Sequence, residues 1–343
     1  MSFAFEEDVE DLFFRSMGSP SMGNVQVKEL VGRGREVRVD VQVTFSQDGP
    51  IDQASICRLR TKQNSKAEGV GIFVRLLWQL PERRDGHTIA VDMTIYLPAN
   101  SNSQRNFAAL AIVMPMYTIS LDNLARHFMF ERVSLWTSNN AVEAKNLHAH
   151  NISVITSNHR ISGVFKVTRA LELQSKNGLI AVDVDALNAA NGIPTTLNIE
   201  TKNAPLTAKL SLTSTSTSHT GGIFQINAHT SNKPLSVTHA VSPPDSVLDL
   251  HASTTNAPAL VQLDGAYEGG FAVRTTNAKP ALAKNAASDP MGKGRRRVER
   301  VFQRAGVVQG AVAWVGEGEE WEDKDRKGEV AVESTNAPAT LVL

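Results

Sequence analysis

The sequence predicts an all-β chain: a β-solenoid or β-helix-like repeat array preceded by an N-terminal β-sheet region. The first observation is a phrase that returns eight times, in which alternating apolar residues run into Thr or Ser, a spacer and Asn, often followed by Ala-Pro. The copies place Asn139, Asn158, Asn177, Asn203, Asn232, Asn256, Asn277 and Asn336 at equivalent positions. The second is strict period-two alternation, as in Val37, Val39, Val41, Val43 and Phe45, the pattern of half-buried strands. The third is spacing. Asn139, Asn158 and Asn177 lie 19 residues apart, room for two or three short strands with turns and hence for one coil of a stacked repeat. A unit of that size buries no apolar face alone and gains its core from its neighbours.

Along the chain, residues 1–22 mix Glu6, Glu7, Asp8, Glu10 and Asp11 with Phe13 and Phe14, which predicts a short helix or a loose tail. Residues 23–109 form the N-terminal β region. Its alternating runs are Val25 and Val27, then Val37 to Phe45, then Ile72, Val74, Leu76, Trp78 and Leu80 ended by Pro81, then Ile89 to Leu97 ended by Pro98. The polar segment 47–68 reads as a loop around a short strand at Ile56 to Leu59. Residues 110–343 form the repeat array, with polar, Gly-bearing loops at 187–192 and 213–222 and a charged insertion at 289–327. Within the insertion, Val307 to Val315 predicts a hairpin or an added strand pair. The last strand, Thr340 to Leu343, is an exposed sheet edge unless something covers it.

The repeated Asn suits a coil corner. It tolerates the left-handed backbone conformation, its amide bonds nearby backbone, and stacked corners about 4.8 Å apart would let the amides form a ladder. Pro205, Pro258 and Pro338 follow Asn-Ala, where a residue without a donor fits better than in mid-strand. In the best-formed copy Leu197, Ile199, Leu206, Ala208, Leu210 and Leu212 point inward, and Asn198, Glu200, Thr207, Lys209 and Ser211 outward.

Composition narrows the function. Lys plus Arg and Asp plus Glu number 35 each, a net charge of zero that argues against broad attraction to nucleic acid or anionic lipid. The single cysteine, Cys57, excludes an intrachain disulfide framework and a cysteine-rich zinc site. The acidic N-terminus lacks the pattern of a secretory signal, and the longest apolar stretch, around Phe107 to Met116, is far short of the roughly 20 residues of a spanning helix. No export and no membrane span are expected, which leaves the cytoplasm as the default location. Asn151-Ile152-Ser153 matches a glycosylation sequon by chance on this reading.

The candidate chemistry is sparse. Asp183 and Asp185 share a strand face but are solvated, because Val182 and Val184 take the inward face. His148 and His150 offer two metal ligands without a nearby Cys, Asp or third His, which makes a weak site. Gly32-Arg33-Gly34 lacks the third glycine and the helix of a dinucleotide turn, and Gly292-Lys293-Gly294 lacks the spacing of a phosphate loop. No nucleophile elbow occurs. Arg295, Arg296 and Arg297, with Arg300 and Arg304, form a candidate anion patch, but the acidic run Glu317, Glu319, Glu320, Glu322 and Asp323 is expected to neutralise it. No catalytic residue, cofactor site or metal site is assigned.

The Thr/Ser-x-Asn-Ala-Pro phrase, preceded by Met93-Thr94-Ile95-Tyr96-Leu97-Pro98, resembles fungal β-repeat proteins that are similar in turn to the bacterial putative-adhesin family of β-helix-like repeats. Lys176-Asn177-Gly178-Leu179-Ile180 is the copy nearest the bacterial form, and the match runs over about Gly23 to Leu343. The resemblance implies a repeat fold and transfers no catalytic residue. The resulting expectation is a non-enzymatic, adhesin-like scaffold whose extended surface binds protein or glycan or self-associates. A carbohydrate-active β-helix enzyme and a cytoskeleton-like subunit are the alternatives.

Overall fold

The computed structural model describes residues 1–18, 21–32, 34–45, 54–62, 64–74, 89–99, 103–319, 321 and 327–343. Among them are 25 strands and no helix, paired both parallel and antiparallel. The chain divides into two compact units, Met1–Val164 and Phe165–Leu343.

In the first unit one ladder is built from β5 (Ala54–Arg60), β6 (Ala67–Val74), β2 (Asp11–Gly18), β8 (Arg105–Val113), β10 (Phe128–Trp136) and the later half of β11 (Val142–Thr156). A second is built from β1 (Ser2–Phe5), β4 (Val37–Phe45), β7 (Ile89–Ala99), β3 (Gly23–Val31), β9 (Tyr117–Asn123) and the first half of β11. The N-terminal residues are therefore strands, not a helix or a tail. Leu12 and Phe14 are wholly buried, and β2 lies between β6 and β8, so period two decides over the local run of acids. The short strand expected at Ile56 to Leu59 is longer, Ala54–Arg60, and it pairs antiparallel with β6. The expected run through Leu76, Trp78 and Leu80 lies outside the described residues. Phe107 stacks on Phe130 at 5.5 Å between ring centroids in this unit's core.

In the second unit the strands likewise alternate between two ladders. The first contains the end of β12 (Ile161–Ser175), then β14 (Thr195–Thr201), β16 (Ile223–Thr230) and β18 (Val247–Thr254), all parallel. The second contains β13 (Ile180–Asn188), β15 (Leu206–Ser214), β17 (Leu235–Val241) and β19 (Ala259–Gln262), also parallel. The strand of one ladder is thus the crossover that returns the chain to the other. Leu197, Ile199, Leu206, Ala208, Leu210 and Leu212 are all buried, and each leucine or isoleucine side chain contributes about 1.5–3 kcal/mol by leaving water.

The final strands depart from sequence order. β24 (Glu329–Ser334) lies between β18 and β20 (Gly269–Thr275), and β25 (Ala339–Val342) lies between β19 and β21 (Ala281–Ala283). The C-terminal strand is therefore not the sheet edge that its place in the sequence suggests; it is paired on both sides. The edge of β20 is taken by the insertion, whose strands β22 (Arg296–Arg304) and β23 (Val307–Val315) form an antiparallel hairpin docked antiparallel on β20.

Candidate functional site

The corner phrase resolves into two kinds of bond. In three copies of the second unit the buried Thr or Ser two positions before Asn reaches a main-chain carbonyl: Thr201 Oγ1 donates to Gly178 O at 3.0 Å, Thr230 Oγ1 to Ala204 O at 3.1 Å and Ser334 Oγ to Ala257 O at 3.1 Å. The Asn amides form the outer ladder. Asn203 donates to Asn177, Asn232 to Asn203 and Asn256 to Asn232, each at 2.7 Å; Asn336 donates to Asn256 and Asn277 to Asn336, again at 2.7 Å. In the first unit Asn158 donates to Asn139 at 2.6 Å. None of these asparagines adopts the expected left-handed conformation, which falls instead to Met116, Ala190, His219 and Asp245. The corner bends without positive φ because backbone bonds such as Asn203 N to Lys176 O, 3.0 Å, tie one corner to its neighbour.

The parallel register sets the exposed side chains of β14, β16, β18 and β24 in rows. Asn198, Asn227, His251 and Ala331 make one row, and Thr196, Gln225 and Asp249 the next. Glu200, His229, Ser253 and Glu333 make a third, which Arg274 of β20 extends. Asn227 Nδ2 donates to Asn198 Oδ1 at 3.0 Å, His229 Nδ1 meets Ser253 Oγ at 2.9 Å, and Arg274 pairs with Glu333 at 2.8 Å. A shallow groove of about 670 Å³ runs across the first two rows, lined by Asn198, Gln225, Asn227, Asp249, His251 and Glu329. Asp249 Oδ1 accepts the Glu329 amide at 3.1 Å.

The arginines are placed one by one. Arg295 pairs with Asp289 at 2.9 Å and Glu268 at 3.3 Å; burial opposes its charge, but these carboxylates hold its pKa above the ordinary value. The Arg295 side chain, aided by the amides of Met291, Arg295 and Lys293, holds Asp289 well below the usual carboxylate range. Glu268 also receives Lys327 at 2.9 Å. Arg295 is thus neutralised within the chain by Asp289 and Glu268; of the acidic run expected to neutralise the arginines, Glu320, Glu322 and Asp323 lie outside the described residues. Arg296 is exposed, and Arg300 lies over the Trp321 ring at 4.7 Å. Arg297 is different: its guanidinium lies 5.9 Å from the Trp314 ring, its three nitrogens are buried without a hydrogen-bond partner, and burial lowers its pKa. The three arginines therefore do not make one patch.

Asp183 is exposed opposite Lys209, and Asp185 faces Ser211. His150 lies 3.3 Å from Glu131, while His148 is half-buried on β11. Cys57 is exposed. Among the described residues no group of three His, Cys, Asp or Glu is arranged to hold a metal, and no helix is long and apolar enough to cross a membrane. Sequence reasoning passed over His239, a buried histidine in the inward phase of Leu235 and Val237; that phase was the available signal.

No protein-family model matches the chain, and no curated protein matches it in sequence. Among solved structures the chain is similar to a putative cell adhesion protein from Clostridium sporogenes, over 100% of this chain and 97% of that one, with 9% identity and a TM-score of 0.20.

Proposed function

We propose that this chain is a non-enzymatic β-repeat protein, a solenoid in which each coil adds one strand to each ladder, and that it binds a glycan or a protein surface. The polar face of β14, β16, β18 and β24 is its contact surface. The observation that supports this reading is the row register: amide, hydroxyl, imidazole and carboxylate groups recur at one strand spacing, about 4.8 Å, and offer donors and acceptors to an extended ligand. Two carboxylates on this face already have partners, Glu333 with Arg274 and Asp249 with the Glu329 amide, which favours recognition over acid-base catalysis. The hairpin on β20 favours a bounded particle over an end-to-end polymer, because it occupies one ladder edge and places charged residues on the outer strand β22.

The test is a glycan-array and protein-capture screen on the full chain, with light scattering on a sizing column. Replacing Gln225 and Asn227 with alanine together is expected to weaken the selected ligand about tenfold or more with the melting temperature nearly unchanged. A ligand that binds the double variant as tightly as the wild type refutes this surface. Filaments formed by the intact chain refute the bounded-particle reading.

A further inference from the structure

The second unit holds a cavity of about 500 Å³ on another part of its surface, lined in part by His239, Asp264, Asn285, Ala286, Ser288 and Arg297. Its origin is local. The β15–β17 register shifts after Leu210, where Ser211 meets Val241, and the pairing of β17 with β19 stops at Thr238 and Gln262. His239 is thus left at an inward position beyond the last residue of β19. It is 2% exposed, and among the described residues neither ring nitrogen has a hydrogen-bond partner of good geometry, although the nearby Val241 backbone still acts on its charge. Arg297 lines the same cavity from β22, and among the described residues its three guanidinium nitrogens have no hydrogen-bond partner and no carboxylate at ion-pair distance. Buried polar atoms left unsatisfied are costly, and a ligand that pairs them as the side chains turn toward the cavity recovers that cost.

From this geometry we propose that the cavity is a binding site for a small hydroxylated carboxylate, of the sugar-acid class. The planar guanidinium of Arg297 matches a carboxylate through two parallel bonds. The imidazole of His239, neutral because burial lowers its pKa to about 4, offers one donor and one acceptor, which suits a hydroxyl rather than a second anion. Asp264 reinforces that preference. Its Oδ2 accepts the Ser242 amide at 2.8 Å, and its charge disfavours a dianion such as phosphate while its other oxygen can accept a ligand hydroxyl. The volume lies within the range of small-molecule pockets, about 300–1,000 Å³. This site shares no lining residue with the groove of the polar face, so each stands or falls alone.

The test is calorimetric titration of the full chain with glucuronate and galacturonate, with glucose and inorganic phosphate as comparison ligands. At least one uronate is expected to bind about tenfold or more tightly than glucose or phosphate. R297M is expected to abolish that preference, and R297K to retain part of it, since lysine keeps the charge and loses the planar fork. Because R297M alters a buried side chain, A286W serves as the second variant: Ala286 is an exposed lining residue, and a bulky ring there blocks the cavity without touching the core. Absence of uronate binding in the wild type overturns the proposal, as does tighter binding of phosphate. Uronate binding unchanged in A286W overturns it too.

Discussion

Asn336 Nδ2 donates to Asn256 Oδ1 at 2.7 Å although 80 residues separate the two in sequence, and Asn336 in turn accepts from Asn277. The last copy of the phrase is thereby threaded between two earlier ones. Asn256 is the middle of three successive rungs, so Asn256→Ala removes both an acceptor and a donor. The expected loss is about 1 kcal/mol, since the amides are exposed and water replaces part of each bond. Urea denaturation checks it, and an unchanged midpoint would show the ladder to be energetically idle.

The buried hydroxyls matter more per bond. Thr201→Val keeps the shape but strips Gly178 O of its donor in a fully buried setting, an expected loss of about 1–3 kcal/mol. Comparison with Asn203→Ala by thermal melting checks the ranking; equal effects would mean that water reaches the carbonyl.

Leu210 and Lys209 test the strand phase. Leu210→Ala is expected to cost about 2–5 kcal/mol as a buried deletion, whereas Lys209→Ala, on the exposed face of β15, should stay within about 0.5 kcal/mol. Denaturant midpoints of the two variants provide the measurement.

His239 makes stability depend on pH. The unfolded chain takes up a proton on this ring near pH 6.5, while the folded chain refuses it until about 4, chiefly because of burial, with Asp264 and the Val241 backbone acting the other way. The unfolded state therefore binds more protons across that window. Stability is complete above about pH 6.5 and falls by about 3 kcal/mol as the pH drops to about 4. Asp289, whose pKa is depressed, adds its own loss only below its ordinary value of 3.8. Unfolding of wild type and His239→Leu at pH 7 and pH 4.5 separates the ring's share; parallel slopes would assign the acid sensitivity elsewhere.

Gly310 is the close approach that seats the hairpin. A Cβ there would lie 2.1 Å from Arg300 O and 2.7 Å from the Phe271 ring. Gly310→Val is expected to lift β23 from β20 and bare a strand edge, giving concentration-dependent dimers by light scattering. A variant that stays monomeric at all concentrations would mean that β20 does not need its cover.

Alternation made the core legible, because a residue's phase in a strand decides whether it meets solvent or its neighbours, and the inward set from Leu197 to Leu212 follows from it alone. Phase also contained the true state of Phe14 and Leu12, but the surrounding acids favoured a helix or a tail. What a single sequence does not carry is which strands become neighbours. Nothing local to Glu329–Ser334 distinguishes a place at the end of a ladder from one between β18 and β20, since both offer the same backbone partners. The same limit hid the candidate sites: the row of Asn198, Asn227 and His251 exists only through register, and Arg297 differs from Arg295 only in what surrounds it.

The placement of β24 also governs the order in which the second unit can assemble. β20, β23 and β22 can pair as a local antiparallel sheet as soon as residue 315 is made, but β18 has no parallel neighbour on its far side until Glu329–Ser334 arrive. Closing that gap joins segments 59 and 80 residues apart, a slow step in chain-entropy terms. During synthesis each ladder therefore lacks one of its strands until residues 329–342 arrive.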